Sequence, residues 1–173
     1  LKTALKLGEG TVSASTILAN AEIFGSLGGK GWEWVTLATL AGGLWLWQRK
    51  IIGWHLPVAF LAGMALIAGL LWALHPDQFA SPLFHLFSGG TLLGAFFIVT
   101  DPVSGCTTPR GKLIFGFSAG VLAYLIRVFG GYPDGVAFAV LLLNICVPLI
   151  DLYTQPPIFG MKESTKNSVK ERP

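Results

Sequence analysis

Charge is what this sequence has least of. Only 12% of its 173 residues are Asp, Glu, Lys or Arg, against 53% hydrophobic residues. Soluble domains carry roughly 25% charge. At half that level too little polar surface remains to coat a water-soluble globule, so the chain is read as an integral membrane protein. Cysteine is also scarce. Cys106 and Cys146 lack CxxC spacing, which argues against a zinc site or a disulfide framework. The net charge of +3 comes from short basic stretches without interleaved aromatics, so nucleic acid is not an expected partner. The chain opens on Leu1 and shows no n-region or cleavage site of a signal peptide. The expectation is a fragment of a longer chain.

What is abundant is long apolar sequence. Five stretches stand out, at about 34–47, 54–74, 82–100, 113–129 and 136–153. A bilayer core is about 30 Å thick and takes about 20 residues of helix. Barrel strands are short and alternate in polarity, whereas these runs are continuously apolar. The reading is an all-α membrane domain of five transmembrane helices over residues 31–155. The first stretch is short unless Trp32 and Gln48 extend it. A polar segment (1–30) precedes it, with a short helix expected near Ile17–Phe24, and a basic tail (156–173) follows.

Loop charge predicts orientation. Arg49 and Lys50 separate the first two stretches, Arg110 and Lys112 the third and fourth, and Lys162, Lys166, Lys170 and Arg172 follow the fifth. The alternate loops, 75–81 and 130–135, contain no Lys or Arg. The positive-inside rule puts the basic loops and the C-terminus in the cytoplasm and the N-terminal segment outside. The six tryptophans, at 32, 34, 45, 47, 54 and 72, fall near span ends, as interfacial anchors do.

Several residues invite a chemical role. Small residues crowd the third and fourth stretches, with Gly90/Gly94 and Gly116/Gly120 as GxxxG pairs. These serve close helix packing, or, at Ser88-Gly89-Gly90-Thr91, room for a flat ligand. Polar groups are costly inside a bilayer and tend to be functional, which draws attention to His85, Asp101, Arg127, Asn144 and Asp151. The stretch Thr100–Lys112 offers hydroxyls, backbone donors and two cations suited to a polar or anionic ligand. Glu9–Thr16 clusters four hydroxyls before a helix, which capping alone would explain.

The run HisLeuPheSerGlyGlyThrLeuLeuGlyAlaPhePheIleValThrAspProValSer (85–104) resembles the D subunit of the Rnf electron-transport complex. So do GlyGlyTyrProAspGlyValAlaPheAlaValLeuLeuLeuAsn (130–144) and ProLeuIleAsp (148–151). That complex is an ion-translocating ferredoxin:NAD oxidoreductase. The B subunit of the sodium-pumping NADH:quinone reductase is a close relative. The resemblance implies the C-terminal half of a ten-span bacterial inner-membrane protein, built from two five-span inverted repeats of urea-transporter type. It implies FMN joined through its phosphate to a threonine on the outer side, in a motif like Asp-Gly-x-x-Ser-Gly-Ala-Thr. Here Gly10, Ser13 and Thr16 match, while Glu9, Ala14 and Ser15 depart from it. Thr16 is thereby named as the attachment residue, with Ser13 and Ser15 beside the flavin. The resemblance also implies a riboflavin toward the cytoplasmic side, for which Ser88, Gly89, Gly90, Thr91 and Thr100 are candidates. Partners implied are the other Rnf subunits, a flavin transferase and membrane lipid. No catalytic residue or metal is assigned to this chain itself. It is expected to relay electrons within an Na⁺- or H⁺-translocating complex, with Asp101 a candidate on the ion path. The rival expectations are a cofactor-free channel of urea-transporter type and a structural anchor.

Overall fold

The computed structural model describes residues 24–25, 28–29, 32–75, 79, 81–88, 90–130 and 135–155. Thr16, Ser13, Ser15, Gly89 and the 156–173 tail lie outside them. Phe24–Gly25 (β1) pairs antiparallel with Gly28–Gly29 (β2). Phe24, expected to end a short helix, is thus extended. Glycines on both strands leave the backbone free to double back within two residues.

Each of the five apolar stretches is helical, but not in the same way. Trp32–Gln48 (α1) takes in both residues that could lengthen the first stretch. At 17 residues it reaches the lower end of the spanning range. His55–Leu74 (α2), Pro109–Phe129 (α5) and Gly135–Thr154 (α6) are long and apolar enough to cross a membrane. α5 begins four residues before its apolar run. Thr108 caps it by accepting a hydrogen bond from Gly111 N at 3.0 Å, and Pro109 fills the first turn, where no N–H is needed.

The third stretch departs from expectation, because it is not one continuous helix. Pro82–Phe87 (α3) stops, and Thr91–Leu93 (α4) restarts and widens into a π-helical turn at Gly94–Ile98. Ser88 is extended and Gly90 has φ +72°, a left-handed conformation that only glycine adopts without strain. That turn of the chain ends α3 although apolar residues continue on both sides.

α5 is the spine, packed against α2 on one side and α6 on the other. The α2–α5 contact is backbone on backbone. A Cβ at Gly116 would come within 2.9 Å of the Leu56 carbonyl, and one at Gly120 would strike the Phe60 carbonyl. In lipid no hydrophobic gain distinguishes helix–helix from helix–lipid contact, so such close van der Waals approach carries the association. Phe60, Met64, Phe115, Ala119, Ala123, Tyr124 and Ala139 fill the shared core with 1% exposure or less. Leu66, Leu70, Leu141, Ile145 and Leu152 face outward and are exposed, as a lipid-facing surface is. Trp34, Trp45, Trp47, Trp54 and Trp72 are all exposed too.

Candidate functional site

Breaking a helix inside an apolar layer frees carbonyls that water cannot reach. They must find other donors. At the α3–α4 break those donors come from three places. The Thr91 hydroxyl shares its one proton between the carbonyls of His85 (2.7 Å) and Ser88 (2.9 Å). Thr36, buried on α1, donates to the Phe87 carbonyl at 3.0 Å. Arg127, in the last turn of α5, donates from Nη1 to the His85 carbonyl at 2.9 Å and lies 3.9 Å from the Met64 sulfur. The break is therefore a built feature, held by side chains of two other helices.

Beneath it sits a buried polar pair. His85 is 2% exposed and meets the fully buried Tyr124 ring edge-on, with centroids 4.9 Å apart. Among the described residues neither His85 Nδ1 nor the Tyr124 hydroxyl has a hydrogen-bond partner, and the same holds for Asn144 Oδ1. Asn144 lies one turn before Pro148, which removes a backbone donor from α6.

The second polar region is the loop from Thr100 to Thr108. Its predicted anion-binding groups are largely committed within the protein. Thr100 donates to the Phe96 carbonyl at 2.7 Å, closing the π turn. Asp101 is exposed and braces its own turn, accepting from the Ser104 hydroxyl at 2.7 Å and from Val103 N at 3.3 Å. Those bonds, the Ser104 hydroxyl foremost, hold its carboxyl below the usual carboxylate range. Asp151, itself buried near the end of α6, accepts from Thr107 N (3.1 and 3.2 Å) and from its hydroxyl (3.0 Å). Thr108 donates to the Thr154 hydroxyl at 2.7 Å, and Thr154 passes a bond on to the Ile150 carbonyl at 2.8 Å. Cys106, 2% exposed, lies under this clamp. Burial, reinforced by the Asp151 charge, pushes its thiol up to about 11.

The structure thus groups Ser88, Gly90 and Thr91 at one end of the 91–98 helical segment and Thr100 and Asp101 at the other. Eight residues of helix rise on the order of 10 Å, so the riboflavin candidates fall in two places and not one. Sequence reasoning missed the Asp151–Thr107 clamp and the Arg127–His85 bond, each linking residues more than forty positions apart. The Thr-Pro signal at 108–109 was available and marks the loop's end.

These features define a class, a multi-pass helical membrane protein with one discontinuous helix stitched by polar side chains. Residues 2–160 match the model of the NQR2, RnfD, RnfE family, and the chain belongs to it. It is similar to the D subunit of the ion-translocating oxidoreductase complex of Yersinia enterocolitica, at 62% identity over 140 residues, 81% of this chain and 40% of that protein. The corresponding D subunit of Yersinia pseudotuberculosis is 60% identical over 88% of this chain and 44% of its own length. That of Escherichia fergusonii is 57% identical over 94% of this chain and 46% of its own length. The chain therefore spans less than half the length of these curated relatives.

Proposed function

We propose that this chain is the C-terminal half of the membrane-embedded D subunit of a redox-driven ion translocase of Rnf type, in a bacterial inner membrane. The observation that carries this reading is the 57–62% identity to proteins bearing that name. In this reading α1, α2, the broken third stretch, α5 and α6 make five crossings. They form one repeat of a ten-helix, urea-transporter-like body, with the N-terminal segment periplasmic and the C-terminus cytoplasmic. Discontinuous helices near the middle of inverted repeats are the usual way such folds build a path across a membrane, and the α3–α4 break supports that comparison.

The protein would carry FMN on Thr16 and riboflavin near the break or the loop below it. A flavin accepts and donates single electrons, and the chemistry is the cofactor's. At the break, a Cβ built on Gly90 meets nothing within 4 Å, so the backbone is open on that side. The Thr91 and Thr100 hydroxyls have spent their protons on backbone carbonyls. Each keeps acceptor lone pairs, but Thr91 is 1% exposed, which leaves the half-buried Thr100 as the hydroxyl open to a ring N–H. The apolar surroundings exclude water from such a site. Asp101 is the proposed polar group at the cytoplasmic mouth of the ion path.

Attachment is tested on the full-length protein co-expressed with its flavin transferase. A denaturing gel should show a band that fluoresces under ultraviolet light, and the intact mass should rise by one FMN. Thr16→Ala should abolish both. A colourless wild-type protein would instead favour the cofactor-free channel, and electron transfer that survives Thr16→Ala would favour an anchor.

A further inference from the structure

Of the three long spans α6 is the least covered. In its most apolar stretch 22% is buried, against 39% in α2 and 33% in α5. Leu141, Ile145, Leu149 and Leu152 stand exposed along it at intervals of three or four residues, which is one face of a helix. Hydrocarbon suits those four. Asn144 lies at the edge of the same face, three residues from Leu141 and four from the exposed Pro148. In a helix that runs Gly135–Thr154 it falls at mid-length, where a bilayer tolerates polar groups least.

Among the described residues the Asn144 side chain has no hydrogen-bond partner. Its Oδ1 is enclosed. The residue is only half-buried, so the amide nitrogen, with two N–H donors, is the end that reaches the surface. Pro148 adds to the shortage. It has no N–H for the Asn144 backbone carbonyl, which an unbroken helix would satisfy. Lipid tails offer neither donor nor acceptor.

Whatever covers this face of α6 therefore brings a hydrogen-bond acceptor to mid-membrane depth. A neighbouring helix with a hydroxyl, a carboxamide or a freed carbonyl does so, and such bonds help hold membrane helices together. The length of the curated relatives leaves room for one. This chain covers 40–46% of them, so more than half of each lies outside it. A span takes about 20 residues. A helix on the same polypeptide also meets α6 at a higher effective concentration than a separate subunit does.

We propose that the outward face of α6 is an internal interface of the full-length subunit, covered by a transmembrane helix from outside this chain that accepts a hydrogen bond from the Asn144 amide. The inference rests on reading the chain as part of a longer D subunit and is independent of the flavins.

The test uses the full-length protein in its native membrane, with benzoylphenylalanine in place of Ile145 as a photo-cross-linker and peptide mapping by mass spectrometry. The adduct should join position 145 to a peptide of the same subunit that lies outside these 173 residues. An adduct to lipid, or to a peptide of another protein, would overturn the proposal. A second readout decides by sign. On a lipid-facing surface Asn144→Leu removes a polar penalty and raises the unfolding midpoint of the full-length protein in detergent. At the proposed interface it breaks the bond and should lower that midpoint, with Asn144→Gln recovering part of the loss. A raised midpoint would count against the interface. The cross-link needs no change at Asn144, so it decides even where Asn144→Leu does not fold. Copurification of further subunits with the tagged protein tests the D-subunit reading separately. Its absence beside an intramolecular adduct would sink that reading and leave the interface in place.

Discussion

The Arg127 guanidinium donates to the backbone carbonyl of His85 at 2.9 Å, across 42 residues of sequence. The bond ties the last turn of α5 to the carbonyl that a continuous third helix would have used for itself. Arg127 sits at a helix C-terminus, where the backbone dipole favours a cation.

Removing that donor has a definite expected outcome. In Arg127→Ala the His85 carbonyl keeps only its share of the Thr91 proton, the loss of a part-buried hydrogen bond from a charged donor, a class worth about 1.5–3 kcal/mol. Thermal unfolding of the full-length protein in detergent should register it as a lower midpoint. Thr36→Val, which strips the Phe87 carbonyl of its side-chain donor, should cost less, about 1 kcal/mol. Equal stability of Arg127→Ala and wild type would remove the bond from the account of the break.

Two glycines should fail for different reasons. Gly120→Ala drives a methyl into the Phe60 carbonyl and must separate α2 from α5, at about 1–3 kcal/mol. Gly90→Ala meets open space but forces a side chain into left-handed backbone, at about 1–2 kcal/mol. Gly90→Asn should recover part of the latter loss, since Asn tolerates that conformation, whereas Gly120→Asn should worsen the former. Unfolding midpoints of the four variants separate the two mechanisms.

Asp151 and Cys106 form a joint prediction. The buried thiol, raised to about 11, should react slowly with maleimide at neutral pH and speed up only as pH climbs toward that value. The sign for stability follows. The folded state holds the thiol proton above the ordinary value of 9.0, so stability is full below pH 9 and is lost as pH rises from there toward 11. Asp151→Asn removes the neighbouring negative charge and should bring labelling in at lower pH. Asp151→Ala also releases Thr107, so trypsin should cut after the exposed Arg110 several times faster in solubilised protein. Unchanged cleavage would argue that Thr108 and Thr154 alone hold the loop.

Asp101→Asn should lower ion transport by the assembled complex more than it lowers flavin content. Unchanged pumping would take Asp101 off the proposed path. Because Ser104 is the main group holding the Asp101 carboxyl down, Ser104→Ala should raise its titration toward the normal carboxylate range, readable by NMR or by the pH profile of transport. The turn's support is present above the normal carboxylate range and fades as pH falls through the lowered value.

The apolar helices were legible because hydropathy over fifteen to twenty residues reports burial in lipid whatever the tertiary detail. α2 and α6 lie within one residue of expectation at each end. α5 was placed late because its first turn, Pro109–Lys112, is polar, and hydropathy sees Leu113 before it sees the Thr108 cap. The break at Ser88–Gly90 was hidden for the opposite reason. Apolarity continues across it, and two adjacent glycines suit a close helix contact as readily as a left-handed turn. The Asp151–Thr107 and Arg127–His85 bonds were beyond reach, since nothing local at either partner names the other. Among the polar residues singled out, Asp101 and Arg127 make side-chain hydrogen bonds, whereas His85 contributes only its backbone carbonyl and its Nδ1 has no partner among the described residues. Thr91 and Thr100 turned out to have their hydroxyl protons already engaged.

A continuous helix can change shape only by giving up main-chain bonds that nothing in lipid replaces. The third stretch has already surrendered those bonds at Ser88–Gly90, and its carbonyls are held by the side chains of Thr36, Thr91 and Arg127. Losing one of these side-chain donors leaves the neighbouring turns of α3 and α4 with their own main-chain bonds. The bundle therefore has a seam as well as a spine. α5 fixes the distances between helices, and at the seam by His85 it is side chains, not main-chain bonds, that tie α1, α3 and α5 together.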